Sequence, residues 1–238
     1  MIAPLWTSDT IAARLKAEIS GGAWSVTGVS IDSRTIQPGD LFIALKGERH
    51  DGHRFVAQAL KDGAAAAMVS EKPVDLDENA PLALVSNTDV GLAGLGVLGR
   101  DRTAAKVIGI TGSVGKTGTK EALASALSRS GRTHASERSF NNHYGVPLTL
   151  ARLPETAEFA VLEMGMNHAG ELSALTDLVR PHVVLITTVA AVHLEFFDSV
   201  AGIADAKAEI MQGLVGGGTA ILPYDNDHYP RLLNWARE

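Results

Sequence analysis

The chain contains no cysteine, which removes disulfides, thiolate nucleophiles and cysteine-held metals from consideration. It has no run of lysine or arginine either, and its formal net charge is −6. A general nucleic-acid binder needs a basic footprint against phosphate charge, so no nucleic-acid partner is expected. A small anion remains possible, because backbone amides and one lysine can hold it locally. Long apolar runs are also missing. The longest, Val183–Leu194, is interrupted by Thr187, Thr188 and His193, and falls short of the roughly 18 residues a membrane-spanning helix needs. Residues Met1–Thr10 have neither a basic start nor an apolar centre. No signal peptide or membrane insertion is expected, and a cytoplasmic location is the default.

What is present is ordinary for a folded protein: 238 residues, 45% hydrophobic and 20% charged, enough for one large or two ordinary domains. Residues 1–85 read as mixed α/β. A short helix capped by Thr7 or Ser8 is followed by strands at Val26–Ile31, Leu41–Leu45, Ala65–Val69 and Leu82–Val85, with a helix at Arg54–Lys61. Gln37-Pro38-Gly39-Asp40 is a turn, with Pro and Gly where turns want them. Asp89–Arg102, within a linker spanning 86–105, reads as a bridging helix. From 106 onward strands alternate with helices: strands at Val107–Thr111, Phe159–Met164, Val183–Thr187 and Thr219–Leu222, helices at Lys116–Ser128, Ala169–Val179, Val200–Leu214 and around His228–Trp235. Near-continuous Val/Leu/Ile strands separated by helices imply a parallel sheet covered on both faces. The fold class expected is α/β, a small mixed domain followed by a parallel-sheet domain. The last strand–helix unit has just begun at Glu238, so the natural protein is expected to continue.

The apolar strand Val107–Thr111 runs directly into Gly112-Ser113-Val114-Gly115-Lys116-Thr117 and a helix. This is the context of a phosphate loop. Its glycines let amide N–H groups curl around an anion, and the helix N-terminus adds its positive end. Lys116 reaches β- and γ-phosphates and the Thr117 hydroxyl suits Mg²⁺. Thr111 to Thr117 is therefore the expected ATP contact. The general pattern wants a glycine where Ile110 stands, so the loop is a short form.

Other groups carry chemistry only in company. Glu163 ends a strand, and carboxyl ends of strands are where ligands sit in such sheets. Alone it reads as an exposed strand-end carboxylate. His193 alone reads as a loop or core residue. Lys207, with Asp205 and Glu209 nearby, reads as a solvated helix face. Asn141 and Asn142, in a loop before a helix, are turn formers as easily as substrate contacts. Asp32-Ser33-Arg34 and the segment from Lys46-Gly47 to His53 are rich in donors, or are surface loops.

Together these segments resemble a known family. The combination of Thr111–Thr117, Glu163–Glu171, Ala191–Glu195 and Ala206–Ile210 is similar to the Mur ligases of peptidoglycan synthesis, and Asp32–His53 is similar to the uridine-nucleotide-binding domain of the later members. Phe140–Leu150 favours the member whose amine substrate is D-Ala-D-Ala over the one adding the third peptide residue. The resemblance covers essentially the whole chain. It implies a first domain at 1–85, a central ATP-binding domain at 106–238, and a C-terminal domain absent from this sequence.

It also implies roles. Thr117 and Glu163 would hold one Mg²⁺, and His193 with a carbamylated Lys207 a second. Asn141, Asn142 and Asn167 would face a UDP-N-acetylmuramoyl-tripeptide, with Ser33, Arg34, Lys46 and Gly47 on its uridine diphosphate. Lys116, His193 and Lys207 would be the catalytic groups of a monomeric ATP-dependent ligase. Two rival readings are a binding module without turnover and an unrelated phosphate-loop kinase, though the second leaves Asp32–His53 without a role.

Overall fold

A computed structural model describes residues 3–47, 51–192 and 194–237. His193, and Glu48 to His50 of the donor-rich segment, lie outside the described residues. The chain divides into two compact units, Met1–Leu98 and Gly99–Glu238.

In the first unit, β1 (Trp6–Thr7) leads into α1 (Ser8–Leu15), and Thr7 caps the helix, its hydroxyl accepting from the Thr10 amide at 3.2 Å. Then follow β2 (Glu18–Ile19), β3 (Ser25–Val26), β4 (Gly28–Ser30), β5 (Asp40–Ile43), α2 (Val56–Lys61), β6 (Ala66–Val69) and β7 (Leu82–Leu84). The five-stranded sheet runs β2-β7-β6-β5-β4, parallel except for β2 against β7. Every residue of β5 and β6 is buried, the mark of strands covered on both faces. The expected single strand Val26–Ile31 is two strands. It breaks at Thr27, whose amide donates to the Gly39 carbonyl, so that β3 pairs with β1 and β4 joins the main sheet. The expected helix at Arg54–Lys61 begins as a 3₁₀ turn, Gly52–Phe55.

Helix α3 (Thr88–Asp101) stands where a helix was expected at Asp89–Arg102, and the division between the units falls within it. The second unit holds β8 (Lys106–Thr111), α4 (Lys116–Leu127), β9 (Thr133–Ala135), α5 (Gly145–Ala151), β10 (Phe159–Glu163), α6 (Glu171–Val179), β11 (Val183–Ile186), α7 (Val200–Ala208), β12 (Thr219–Ile221) and α8 (Tyr229–Trp235). Its sheet runs β12-β11-β8-β10-β9 and all pairings are parallel. Strand β9 has no sequence signal, because three half-buried residues at a sheet edge show no periodicity.

The expected helix Val200–Leu214 is α-helical only to Ala208, then tightens into a 3₁₀ turn, Glu209–Met211. The Thr176 hydroxyl takes the Ile210 carbonyl and draws the chain toward α6. Among the described residues no helix is long and apolar enough to cross a membrane.

The close approach of Gly99 to Leu150, both in the second unit, gives one prediction. A Cβ at Gly99 would lie 2.8 Å from the Leu150 carbonyl carbon and nearer still to its oxygen. Alanine gains up to about 1 kcal/mol of helix propensity, but overpacking against immovable backbone costs about 1–3 kcal/mol. Gly99→Ala is therefore expected to lower the urea midpoint. An unchanged or raised midpoint would refute the packing argument.

Candidate active site

Sheet order places the site. Strand β8 is central, and the chain leaves it first toward β9 and β10, then toward β11 on the other side, which makes a crevice at the carboxyl ends of these strands. Register sets Glu163 beside Ile110 and Ile186 beside Thr111. The last residue of β10 thus flanks the root of the phosphate loop, and Thr187 flanks Gly112.

The loop needs its glycines. Gly112 has φ 147 and Gly115 φ 87, and a Cβ on Gly112 would lie 3.1 Å from the Thr187 amide nitrogen and collide with its hydroxyl. The crest is stapled to the segment after β11. Thr187 Oγ1 donates to the Val114 carbonyl at 2.6 Å, the Ser113 amide donates to the Thr188 carbonyl at 2.9 Å, and the Ala190 amide donates to Ser113 Oγ at 2.9 Å. Thr187 and Thr188 looked in the sequence like interruptions of an apolar run; in the fold they hold the loop open. Thr111 itself is fully buried and contributes backbone, its carbonyl accepting from the Thr187 amide.

Lys116 Nζ donates to the Gly112 carbonyl at 2.7 Å, so the lysine folds back over its own loop. Burial pushes its ammonium below the ordinary lysine value, and the Glu163 carboxylate opposes that shift. Glu163 is only 1% exposed. Its Oε2 accepts from the Thr117 hydroxyl at 2.9 Å and its Oε1 from Asn141 Nδ2 at 2.8 Å. The bland expectation of an exposed strand-end carboxylate is overturned, because β10 lies between β8 and β9 and α4 covers its end. One buried carboxylate joins the phosphate helix to the Asn141 loop.

Lys207 is not on a solvated face. It is 2% exposed, and burial first, then repulsion from Lys116, pushes its ammonium down to about 8. A half-buried and a buried cation, Lys116 and Lys207, near one glycine-rich loop suit a polyanionic ligand. A carboxylate and a hydroxyl on hard oxygen atoms beside that loop suit Mg²⁺.

A pocket of about 530 Å³ opens beside the loop. Lys116 forms one side, Asn141, Asn142 and His143 a second, and Met166, Asn167 and Glu171 a third. The adjacent asparagines differ in use. Asn141 holds Glu163, whereas Asn142 Oδ1 accepts from the amides of Tyr144 and Gly145 and so starts α5. The third wall is clamped from behind by Glu209, whose carboxylate accepts from the Gly170 and Ser173 amides at 2.7 and 3.2 Å and complements the positive end of α6. Glu209 was not singled out as a site residue; it sits near Lys207 but meets α6 only through long-range contacts.

The remaining expected residues, Ser33, Arg34, Lys46 and Gly47, belong to the first unit. Ser33 and Arg34 sit on a 3₁₀ turn capped by Asp32, and the Arg34 guanidinium, 85% exposed, pairs with Asp32 in a two-point contact. Lys46 Nζ lies 3.5 Å from Glu71 and 3.8 Å from Asp51. Asp51 also binds His53 Nδ1 at 2.7 Å, while His53 Nε2 accepts from the Ser70 amide.

Two family models match the chain: the Mur ligase middle domain over residues 110–238, and the Mur ligase family catalytic domain over 25–93. The UDP-N-acetylmuramoyl-tripeptide–D-alanyl-D-alanine ligase of Escherichia coli K12 is 42% identical over 221 residues, 93% of this chain and 48% of that protein. The Bacillus subtilis ligase of the same name is 39% identical, over 96% of this chain and 50% of its own length. Among solved structures, MurF from Acinetobacter baumannii superposes with TM-score 0.86 at 36% identity, covering 99% of this chain and 52% of that one. The Thermotoga maritima MurF ligase in complex with ADP gives 0.72 at 32% identity, over 89% and 48%. The chain spans about half the length of these relatives. With a middle-domain match across more than half its residues and the phosphate loop in place, the chain belongs to the Mur ligase family.

Proposed function

We propose that the protein is an ATP-dependent amide ligase that joins D-Ala-D-Ala to UDP-N-acetylmuramoyl-tripeptide, the reaction named for its relatives. The observation that carries this reading is the Glu163 junction. A carboxylate bonded to Thr117 on one side and to the pocket residue Asn141 on the other ties the phosphate grip to the pocket. A carboxylate substrate in that pocket lies next to the γ-phosphate of ATP held on the loop.

The chemistry follows from what a carboxylate lacks, a leaving group. The terminal peptide carboxylate attacks the γ-phosphorus; an O–P bond forms, the bond to the β-phosphate oxygen breaks, and ADP leaves. The amine of D-Ala-D-Ala then attacks the acyl carbon; a C–N bond forms, inorganic phosphate departs, and the amine proton is lost to solvent. The protein's work is positioning two anions and offsetting their repulsion. Lys116 and the loop amides orient the phosphates, and Asn141, Asn142 and Asn167 orient the peptide. Mg²⁺, when bound, neutralises phosphate charge; Thr117 and Glu163 would hold one ion, and His193 with a carbamylated Lys207 another. Carbamylation has a reason here, since CO₂ turns a buried ammonium that repels metal into a carboxylate-like ligand, and a depressed pKa favours the neutral amine that reacts. In the first unit, Ser33, Arg34, Lys46 and Gly47 would take the uridine diphosphate.

Calorimetry of UDP-N-acetylmuramoyl-tripeptide and of ATP, run separately, tests the reading. Tight binding of the first and weak binding of the second is expected. Failure to bind the tripeptide, or preference for the dipeptide precursor, would overturn the substrate assignment. Phosphate release with all three substrates then separates a ligase from a binding module, which would bind and release nothing.

A further inference from the structure

Lys120 is the fully buried cation that the mechanism above leaves unused. It lies four residues after Lys116 on α4, on the same helix face one turn further from the phosphate loop. Its side chain is 0% exposed. Nζ donates to the Ser136 carbonyl at 2.7 Å and to the Arg138 carbonyl at 2.5 Å, and it pairs with Glu121 Oε1 at 2.9 Å. Three acceptors meet the three N–H groups of one ammonium, so its donor capacity is full.

The segment it grips leads to the site. Ser136 is tied to β10 twice, its amide donating to the Val161 carbonyl and its hydroxyl accepting from the Glu163 amide. Five residues later Asn141 is tied again, its carbonyl accepting from the Gly165 amide and its side chain donating to Glu163. Between these anchors Arg138 has φ 49, a left-handed conformation that residues with a Cβ disfavour. Two carbonyls bound to one cation hold that turn in place.

We propose that Lys120 is a positioning residue: by clamping the Ser136–Arg138 turn onto the phosphate helix it sets Asn141 against Glu163 and fixes the Asn141–His143 wall of the pocket. It touches no substrate. Its effect falls on the peptide side of the site, and only weakly on the nucleotide, because the phosphate loop is stapled independently through Thr187 and Ser113. The identity of the peptide ligand rests on the function proposed above, and the test separates the two.

Lys120→Met keeps the length of the side chain and removes the ammonium. Binding of UDP-N-acetylmuramoyl-tripeptide and of ADP is measured by calorimetry on the full chain, with amide hydrogen exchange alongside. The tripeptide affinity is expected to fall about 10- to 100-fold, in proportion to the fraction of molecules that lose the seated Asn141 loop, while ADP changes by less than about threefold. Exchange at the Tyr144, Gly145 and Gly165 amides, which report on Asn142 and Asn141, is expected to quicken while the β8 amides stay protected. Adding Arg138→Gly, which removes the left-handed strain, is expected to restore much of the tripeptide affinity.

A merely structural lysine would accelerate exchange in β8 as much as in the loop, weaken both ligands together, and show no rescue. That result overturns the proposal, as does an unchanged tripeptide affinity in a folded Lys120→Met. If wild type binds no tripeptide, the substrate reading falls, and the exchange pattern alone decides for or against Lys120. Should Lys120→Met not fold, Lys120→Arg, which keeps the charge on a longer planar head, is held to the same split between tripeptide and ADP.

Discussion

On the function proposed above, Lys116→Ala is expected to weaken ATP binding by about 100-fold and, in a ligase of the relatives' full length, to cut substrate-dependent phosphate release by about 10³-fold or more. The first figure reflects the loss of hydrogen bonds from a charged donor at about 1.5–3 kcal/mol; the second reflects the removal of a preorganised charge where negative charge develops. The tripeptide ligand is expected to bind within a few-fold of wild type, because the pocket keeps its asparagine walls. The fold should not suffer. Lys116 is partly buried and its ammonium is disfavoured there, and its removal also relieves the repulsion that depresses Lys207. The checks are calorimetry for each ligand, a phosphate-release assay and a thermal melt. Wild-type turnover in the variant would remove Lys116 from the reaction.

Glu163→Gln is the second large effect, and the geometry explains why an isosteric change is not conservative here. Both oxygens of the carboxylate accept, one from a hydroxyl and one from an amide N–H₂. A glutamine presents one acceptor and one donor. Whichever way the new amide is turned, a donor faces Thr117 or Asn141. If it faces Asn141, that amide must turn over to offer its oxygen, and a charge-assisted bond becomes a neutral one at a cost of about 1–3 kcal/mol. If it faces Thr117, the hydroxyl must rotate and cease to align with a cation. Either way the negative charge that suits Mg²⁺ is gone. The expected result is a lower urea midpoint together with a loss of Mg²⁺-dependent turnover of about 10²-fold or more. A variant that kept wild-type turnover at the same Mg²⁺ concentration would exclude Glu163 from any metal role.

The parts of this site that could be read from the sequence are those whose chemistry is local. A phosphate loop is written in seven consecutive residues after an apolar strand, since the glycine torsions, the helix start and the lysine are all set by neighbours along the chain. The strands of the second unit are legible for the same reason: runs such as Val183–Ile186 are apolar throughout, as strands covered on both faces must be. The edge strand Thr133–Ala135 is not, and with it the burial of Lys120 was hidden. A lysine four residues beyond Lys116 looks like any solvated helix position until the loop after β9 is laid across it. Lys207 misled in the same way. Its helix carries apolar and small residues nearly all round, so spacing alone does not say which face is inside.

Asn141 and Asn142 show the limit most sharply. They are identical in type and adjacent, and the sequence offers no reason to separate them. The entry of the chain into α5 turns one side chain onto the amides of Tyr144 and Gly145 and leaves the other to reach Glu163.

From the amino-acid sequence alone came the phosphate grip, the α/β class and the segments that resemble Mur ligases, because each depends on short-range torsion, periodicity or residue type. The tertiary structure decided which charges are buried around that grip and its pocket. Glu163, Lys120 and Glu209 acquire their partners from strand register and from loops brought together across 16 to 46 residues of chain. The physical reason is that burying a charge requires partners on every side, and no stretch of neighbouring sequence can supply them.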